Sequence, residues 1–379
     1  MSKLRIATLV LGSSLLAAGT LAVAHNHEGE GKVGAAPKAA ATGAPGQAKA
    51  EGGTRWVPPG TPGSPIDGTI FHAQVLLDVA GFPSGVIDGK KGMVFGQAIR
   101  GFQQSRGLPV TGELDGRTRA ELLKLNRPST RMLQLTEKDV GGPFVYPFPD
   151  DAADQAKLDG LHYRNMLEKV AERFHTTPDT IVALNGPDKL IGPGQVLRLP
   201  NVLPTGREYS GAVDEKQARL LDFFNVDPDQ PQGGFVVVDK SDGVMRVYAG
   251  EAPSRNQVKP GDGELVAQFP VTMGSEKYPL PIGRWRATTY AFEPPFKFQP
   301  ELLQGTDEND KEQMLPPGPN GPVGVAWLDL TKEHYGIHGT DSPQTIGRAE
   351  SSGCIRLANW DVIRLSRILK PGFTAIFQA

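Results

Sequence analysis

The chain has 379 residues, which is too long for one ordinary hydrophobic core and predicts several domains of about 50 to 200 residues each. Its 39% hydrophobic and 22% charged residues are typical of globular proteins. Because 40 basic and 42 acidic residues nearly cancel, the composition offers no broad basic surface and argues against a nucleic-acid partner.

Residues 1–24 have the pattern of a secretory signal peptide. Lys3 and Arg5 precede an uncharged apolar run that closes on the small residues Ala22-Val23-Ala24. This pattern predicts cleavage after Ala24 and export to the periplasm or cell wall. An uncleaved membrane anchor is the alternative, because the run approaches the length needed to cross a bilayer. No other segment is apolar enough, so we expect no membrane span after cleavage.

Residues 25–64 are rich in Gly, Ala, Pro and Lys and carry almost no large apolar side chains. Such a segment cannot offset its ordering entropy by burial, and we expect a flexible linker. His25 and His27 could bind a metal ion at the mature N-terminus, but a solvated tail is the favoured interpretation.

Residues 65–128 predict a small helical domain. Apolar residues recur at helical spacing in three stripes, separated by the turn signals Asp88-Gly89 and Asp115-Gly116. The stripes are Val75, Leu76 and Val79; Phe95, Ala98, Ile99 and Phe102; and Ala120, Leu122, Leu123 and Leu125. The Asp-Gly before the second helix, the Ala-Ile-x-x-Phe-Gln core and the Gly-Leu-x-Val-x-Gly-x-Leu-Asp tail resemble the three-helix peptidoglycan-binding domain. That resemblance, and nothing in the helical pattern itself, implies peptidoglycan as a partner.

A second small module is predicted at residues 158–203. Leu167, Val170, Ala171 and Phe174 follow helical spacing, and Thr177-Pro178 predicts the N-cap and first turn of another helix. Residues 196–200 then predict a short strand. The order of these elements resembles a LysM-type strand-helix-helix-strand module, a family that binds the N-acetylglucosamine backbone of glycans. A degenerate spacer that binds nothing is the alternative.

Residues 232–379 are rich in strand signals. Strand candidates at 235–238 and 245–248 flank Ser241-Asp242-Gly243, a hairpin signal, and further strands are predicted at 266–271 and 285–290. Residues 292–321 are predicted to form a long loop. A loop of this length is either functional, for instance a lid, or disordered. A C-terminal helix is predicted with Asn359 as its N-cap and an apolar face of Val362, Ile363, Leu365 and Ile368.

The chain contains one cysteine, Cys354. In an exported protein a single thiol cannot form an internal disulfide and is a liability unless its chemistry is used. A cysteine nucleophile needs a base and donors for the oxyanion that forms on the attacked carbonyl. His338 is the nearest suitable imidazole, and Ser352-Gly353-Cys354 is a tight turn with amide donors. Arg356 adds positive charge and could hold a carboxylate.

The spacing of these residues resembles the signature of the L,D-transpeptidase catalytic domain. The similarity extends over roughly 145 residues through His338-Gly339-Thr340, Ser351-x-Gly353-Cys354-Ile355-Arg356, Pro281-x-Gly283, the Leu315 to Asn320 loop and Tyr335-Gly336-Ile337. The resemblance implies a multidomain α+β protein with a mostly-β catalytic domain of the L,D-transpeptidase fold, similar to a β-sandwich or barrel.

The resemblance also implies a role for each motif residue. Cys354 is expected to be the nucleophile and His338 its general base, with the carbonyl of Gly339 orienting the imidazole. The amides of Gly353 and Cys354 would form the oxyanion hole, and Arg356 would help to bind the stem peptide.

Three more residues, Ser351, Ser352 and Tyr335, are candidate members of the substrate-binding site. Many members of the family have His at the position of Ser352. The resemblance therefore leaves open how the reactivity of the thiol is set in this chain.

The resulting prediction is a peptidoglycan L,D-transpeptidase. Its thiolate would attack a tetrapeptide stem, release D-alanine and pass the acyl group to an amine of another stem, forming a 3-3 cross-link. No cofactor and no metal are expected, because proton transfer and oxyanion stabilisation suffice for acyl exchange. An L,D-carboxypeptidase and a catalytically dead wall-binding scaffold are the alternatives. The sequence does not reveal the acceptor amine or the oligomeric state.

Overall fold

A computed structural model describes residues 59–61, 64, 66–211, 214–259, 261–302, 310–348 and 351–379. The predicted signal peptide lies outside these residues, and so does the predicted linker except for residues 59–61 and 64. None of the helices in the described ranges is long and apolar enough to cross a membrane.

Three helices follow one another at the start of the described chain: α1 (Gly68–Val79), α2 (Met93–Ser105) and α3 (Gly116–Leu123). The carboxylates of Asp67 and Asp115 cap α1 and α3 by accepting backbone N–H groups. The stripe predicted for α2 is confirmed, since all four of its residues are buried. The stripe predicted for the third helix is wrong, because only Leu122 is buried while Leu123, Leu125 and Ala120 are exposed.

The middle segment has two strands that enclose four helices. They are β1 (Thr130–Gln134), α4 (Glu137–Val140), α5 (Ala152–Gln155), α6 (Met166–Arg173), α7 (Pro178–Asn185) and β2 (Val196–Pro200). Thr177 caps α7 by accepting the Thr180 N–H, as predicted. β1 and β2 pair antiparallel, so the sheet partner of β2 lies before residue 158, where the module was predicted to begin. The LysM-like assignment itself stays a prediction.

Helix α8 (Glu215–Phe223) precedes a β-rich domain. An eight-stranded mixed sheet has the order β11-β10-β9-β6-β12-β3-β4-β5. Its strands are β3 (Phe235–Asp239), β4 (Val244–Tyr248), β5 (Leu265–Pro270), β6 (Gly283–Phe292), β9 (Ala326–Leu330), β10 (Gly336–His338), β11 (Ile355–Arg356) and β12 (Thr374–Gln378). The predicted hairpin is confirmed, because β3 and β4 pair antiparallel around the Ser241-Asp242-Gly243 turn.

Part of the predicted long loop forms a second hairpin. β7 (Phe296–Phe298) pairs antiparallel with β8 (Gln313–Leu315), and a short 3₁₀ turn (Pro300–Leu302) follows β7. Residues 303–309, between them, lie outside the described ranges. No strand periodicity is visible in this part of the sequence, because each strand has only three residues.

Helix α9 (Asn359–Ile368) begins one residue earlier than predicted, so Asn359 is its first residue and Ala358 takes the cap position. The Asn359 side chain is fully buried and bonds to other parts of the chain, which leaves it unable to cap the helix. The apolar face predicted for α9 is confirmed as buried.

The helices before residue 124 share a hydrophobic core with the β-rich domain. Phe95 and Phe102 of α2 belong to one buried cluster with Val237 of β3 and Ile376 of β12. Asp78 at the end of α1 accepts a hydrogen bond from Arg364 of α9 at 2.9 Å and contacts His175 at 3.0 Å, and all three side chains are buried. The described segments before and within the β-rich domain therefore form one compact unit.

Candidate functional site

Three adjacent strands bring the predicted catalytic residues together. In the sheet, His338 of β10 lies opposite Trp327 of β9 and opposite Arg356 of β11. Cys354 immediately precedes β11, and its side chain lines the same cleft of about 320 Å³ as His338 and Arg356. The parallel pairing of β10 with β11 thus unites two motifs that are 16 residues apart in the chain.

The imidazole of His338 is buried and held in one orientation. Its Nδ1 lies 2.7 Å from the carbonyl oxygen of Gly339, so the proton belongs on Nδ1 and Nε2 carries a free lone pair. The ring stacks on Trp327 with 5.2 Å between the ring centroids. Burial, reinforced by the charge of Arg356, lowers the pKa of His338 to about 3. At neutral pH the ring is therefore uncharged, as a general base must be before it takes a proton.

The Cys354 thiol is also neutral in this resting geometry. Burial raises the pKa of Cys354, while the amide of Gly336 and the charge of Arg356 oppose this shift. The Sγ atom lies 3.6 Å from the carbonyl oxygen of His334, which accepts the thiol proton. The pair therefore rests as thiol and imidazole, and thiolate must be generated during the reaction.

A hydroxyl closes the turn that carries Cys354. The Ser351 Oγ donates to the carbonyl of Cys354 at 2.7 Å and accepts the amide N–H of Gly353 at 3.2 Å. Gly353 has φ of +106°, and a Cβ built there would lie 2.6 Å from a ring carbon of Tyr335. This position therefore requires glycine. The Gly353 amide, predicted as an oxyanion donor, is already bonded to Ser351.

Of the remaining predicted site residues, some line the cleft and others do not. Ser352 and Arg356 line the cleft beside Cys354. The Nε of Arg356 is buried and has no hydrogen-bond partner in the described part of the chain. Tyr335 lies against Gly353, behind the turn, and does not line the cleft. Its position is that of a support for the turn.

The opposite wall of the cleft comes from the region predicted to be a loop. It consists of Pro294, Pro295, Phe296, Lys297, Gln299 and Leu302, and Pro322 and Val323 complete the lining. Trp327 and His334 also line the cleft. Trp327 stacks on the imidazole of His338 in this cleft. Its place beside His338 depends on the β9–β10 register, which the sequence alone does not reveal.

Two family models match the chain. Residues 233–377 match the YkuD family, described as the L,D-transpeptidase catalytic domain, and residues 69–122 match a peptidoglycan binding domain. Over residues 233–377 the chain is therefore similar to the L,D-transpeptidase catalytic domain. The L,D-transpeptidase domain has the predicted fold class, a mostly-β domain in a multidomain α+β chain.

Curated relatives of the L,D-transpeptidase domain come from Bacillus. The protein named L,D-transpeptidase YkuD in Bacillus licheniformis is 55% identical over 56 residues, 15% of this chain and 34% of that protein. YkuD of Bacillus subtilis is 57% identical over 54 residues, 14% of this chain and 33% of that protein. The chain thus matches about one third of the length of these relatives.

Solved structures similar to this chain include two mycobacterial L,D-transpeptidases. The enzyme from Mycobacterium smegmatis has 22% identity and a TM-score of 0.28, covering 39% of this chain and 59% of that chain. L,D-transpeptidase 3 from Mycobacterium tuberculosis, in complex with a faropenem-derived adduct, has 19% identity and a TM-score of 0.29, covering 39% of this chain and 60% of that chain.

Proposed function

We propose that the protein is an exported peptidoglycan L,D-transpeptidase with Cys354 as its nucleophile and His338 as its general base. The observation that carries the proposal is the shared cleft, which is lined both by the partly exposed thiol just before β11 and by an imidazole whose Nε2 carries a lone pair. The L,D-transpeptidase and peptidoglycan-binding family matches support the wall as the site of action.

The first step begins with proton transfer to His338. The thiol turns from the His334 carbonyl and gives its proton to Nε2, and the thiolate attacks the carbonyl carbon that follows the third residue of the stem. The new S–C bond forms as the amide C–N bond breaks. The imidazolium returns its proton to the leaving amine of D-alanine, which leaves a thioester on Cys354.

The second step reverses this sequence with a different amine. The incoming amine of another stem loses a proton to His338 and attacks the thioester, and the thiol is regenerated as the 3-3 cross-link forms. The imidazole must be neutral at the start of both steps, and the lowered pKa of His338 keeps it so at neutral pH.

Stabilisation of the oxyanion involves the turn before β11. The amides of Gly353 and Cys354 are the proposed donors. Because the Gly353 N–H is bonded to the Ser351 hydroxyl, that amide is shared with, or released from, Ser351 when the tetrahedral intermediate forms. Arg356 supplies positive charge in the same cleft for a stem carboxylate.

A muropeptide assay tests this function. The purified chain is incubated with disaccharide tetrapeptides, and the products are identified by mass spectrometry beside those of Cys354→Ala. The proposal predicts cross-linked dimers and free D-alanine from the wild type and neither product from the variant. Trimmed tripeptides without dimers would establish a carboxypeptidase instead. Binding without any product would establish a wall-binding scaffold.

A further inference from the structure

A glutamate outside the L,D-transpeptidase domain reaches into it. Glu172 lies on α6 and is 7% exposed. Its Oε1 accepts a hydrogen bond from Nδ2 of Asn359, the first residue of α9, at 2.7 Å. The Tyr163 hydroxyl is a second hydrogen-bond partner of this carboxyl group. A buried polar contact thus joins the middle segment to the helix that follows the Cys354 motif.

The Asn359 amide has a single orientation that satisfies its neighbours. Its Nδ2 donates to Glu172 and, at 3.3 Å, to the carbonyl of Pro319, while its Oδ1 accepts the Val325 N–H at 3.1 Å. A flipped amide would place its oxygen against the carbonyl oxygen of Pro319 and its N–H groups against the N–H of Val325. Since Asn359 is fully buried, water cannot replace a lost partner. Glu172 therefore helps to fix this side chain.

The Asn359 oxygen lies directly against the backbone that holds the base. A Cβ built on Gly339 would lie 2.1 Å from this oxygen, and one built on Gly324 would lie 2.0 Å from it. The carbonyl of Gly339 in turn accepts the Nδ1–H of His338 at 2.7 Å. One side chain and one peptide group therefore separate the carboxyl group of Glu172 from the imidazole.

Glu172 also lines a cleft of about 700 Å³ formed by three segments of the chain. Burial, with a smaller effect from the charges of Glu168 and Asp341, raises the pKa of Glu172 to about 8 against the opposing effect of its hydrogen bonds to Tyr163 and Asn359. The group is hence a neutral acid at pH 7. Burying a carboxyl group costs free energy that an apolar side chain of similar volume would not cost. An apolar residue at this position could not accept the hydrogen bond that Asn359 donates to Glu172.

We propose that Glu172 is a positioning residue for His338, acting through Asn359 and the carbonyl of Gly339. The inference rests on the proposed function, in which His338 is the base. Glu172 touches no reacting atom. Loss of its hydrogen bond frees the Asn359 amide, loosens the Gly339 peptide, and lets the imidazole leave the orientation that its bond to the Gly339 carbonyl sets.

Two substitutions separate the hydrogen bond from the packing. Glu172→Gln keeps an oxygen that accepts from Asn359 and matches the neutral acid in shape. Glu172→Met fills a similar volume but cannot accept. Glu168→Ala is the matched control, because Glu168 is on the same helix and lines the same cleft but bonds to Arg164 and Asn320 rather than Asn359.

The measurement is acylation of Cys354 by a carbapenem, followed by intact mass in the full chain. In this reaction the S–C bond forms, the lactam C–N bond opens, and the thiol proton passes through His338 to the lactam nitrogen. Varying the carbapenem concentration separates the binding constant from the maximal acylation rate.

For Glu172→Met we expect an acylation rate that is about tenfold to a hundredfold lower, with the binding constant changed less than about twofold. Glu172→Gln and Glu168→Ala should stay within about twofold of the wild type. Combining Glu172→Met with Asn359→Ala should slow the reaction no more than the slower single change does, because both act on one path.

Three results would overturn the inference: a wild-type rate for Glu172→Met, a rate for Glu172→Gln as low as that of Glu172→Met, or a multiplicative loss in the double variant. If thermal denaturation shows that Glu172→Met does not fold, Asn359→Ser is tested in its place. A wild-type acylation rate for Asn359→Ser also overturns the inference. A wild type that is never acylated refutes the proposed function itself. An acylated wild type with an equally fast Glu172→Met refutes only the role of Glu172.

Discussion

Replacing Gly353 by alanine should destabilise the turn that carries Cys354, for two separate reasons. At φ of +106° an alanine backbone is strained, at a cost of about 1–3 kcal/mol. The new Cβ would also lie 2.6 Å from a ring carbon of Tyr335, so the ring must move, at a further cost of about 1–3 kcal/mol. The expected loss in the free energy of unfolding is therefore about 2–6 kcal/mol, a large share of the stability of a typical domain.

Equilibrium unfolding in urea, followed by tryptophan fluorescence, measures this loss, and Cys354 acylation measured under folding conditions reports on the site. Tyr335→Ala alone is the control, and the double variant Gly353→Ala/Tyr335→Ala separates the two causes. Removing the Tyr335 ring should recover the part of the lost unfolding free energy that is due to overlap with the new Cβ. The part that is due to backbone strain at residue 353 should remain. If Gly353→Ala is within about 0.5 kcal/mol of the wild type, or if the double variant recovers nothing, the reasoning about this turn is refuted.

The remaining predictions concern the thiol, the core and a helix cap. Because the pKa of Cys354 is raised, its alkylation by iodoacetamide should accelerate with pH up to and beyond pH 9; a plateau between pH 5 and pH 8 would reveal a thiolate–imidazolium pair instead. Asp78→Asn leaves the buried charge of Arg364 unpaired and should cost about 3–5 kcal/mol of unfolding free energy in urea. Because its partners hold the pKa of Asp78 far below the ordinary 3.8, the stability it contributes is present above pH 4 and is lost as the pH falls further, and acid unfolding of the wild type measures it. Thr177→Ala removes the cap of α7 and should lower the thermal stability by about 1 kcal/mol; no change would show that the cap is redundant.

Local patterns in the sequence predicted local structure well. The stripe in α2, the cap at Thr177 and the β3–β4 hairpin depend on spacing and turn residues within a few positions, and all are confirmed. The third stripe failed because periodicity counts apolar residues and does not reveal whether a partner covers them. Exposed Leu123 lies at the end of a helix whose packing surface is narrow.

The proposed catalytic pair, Cys354 and His338, was accessible from the sequence because its motif has a known spacing. The residues that surround this pair could not be predicted from the sequence, because they come from distant parts of the chain. Asn359 looked like a helix cap, but its amide turns toward Glu172, 187 residues earlier. Likewise the stacking of Trp327 on His338 depends on strand register, and the bond from the Gly353 amide to Ser351 depends on the exact shape of a turn.

The central claim is that His338 draws the proton from Cys354 so that the sulfur can take the acyl group of a stem peptide. Incubation with a tetrapeptide stem, rapid acid quenching and peptide mapping by mass spectrometry test it directly. We predict a thioester on Cys354 with one D-alanine released per acylated chain, and a large loss of this species in a folded His338→Ala. Acylation at another residue, or an undiminished rate without the imidazole, would contradict the account.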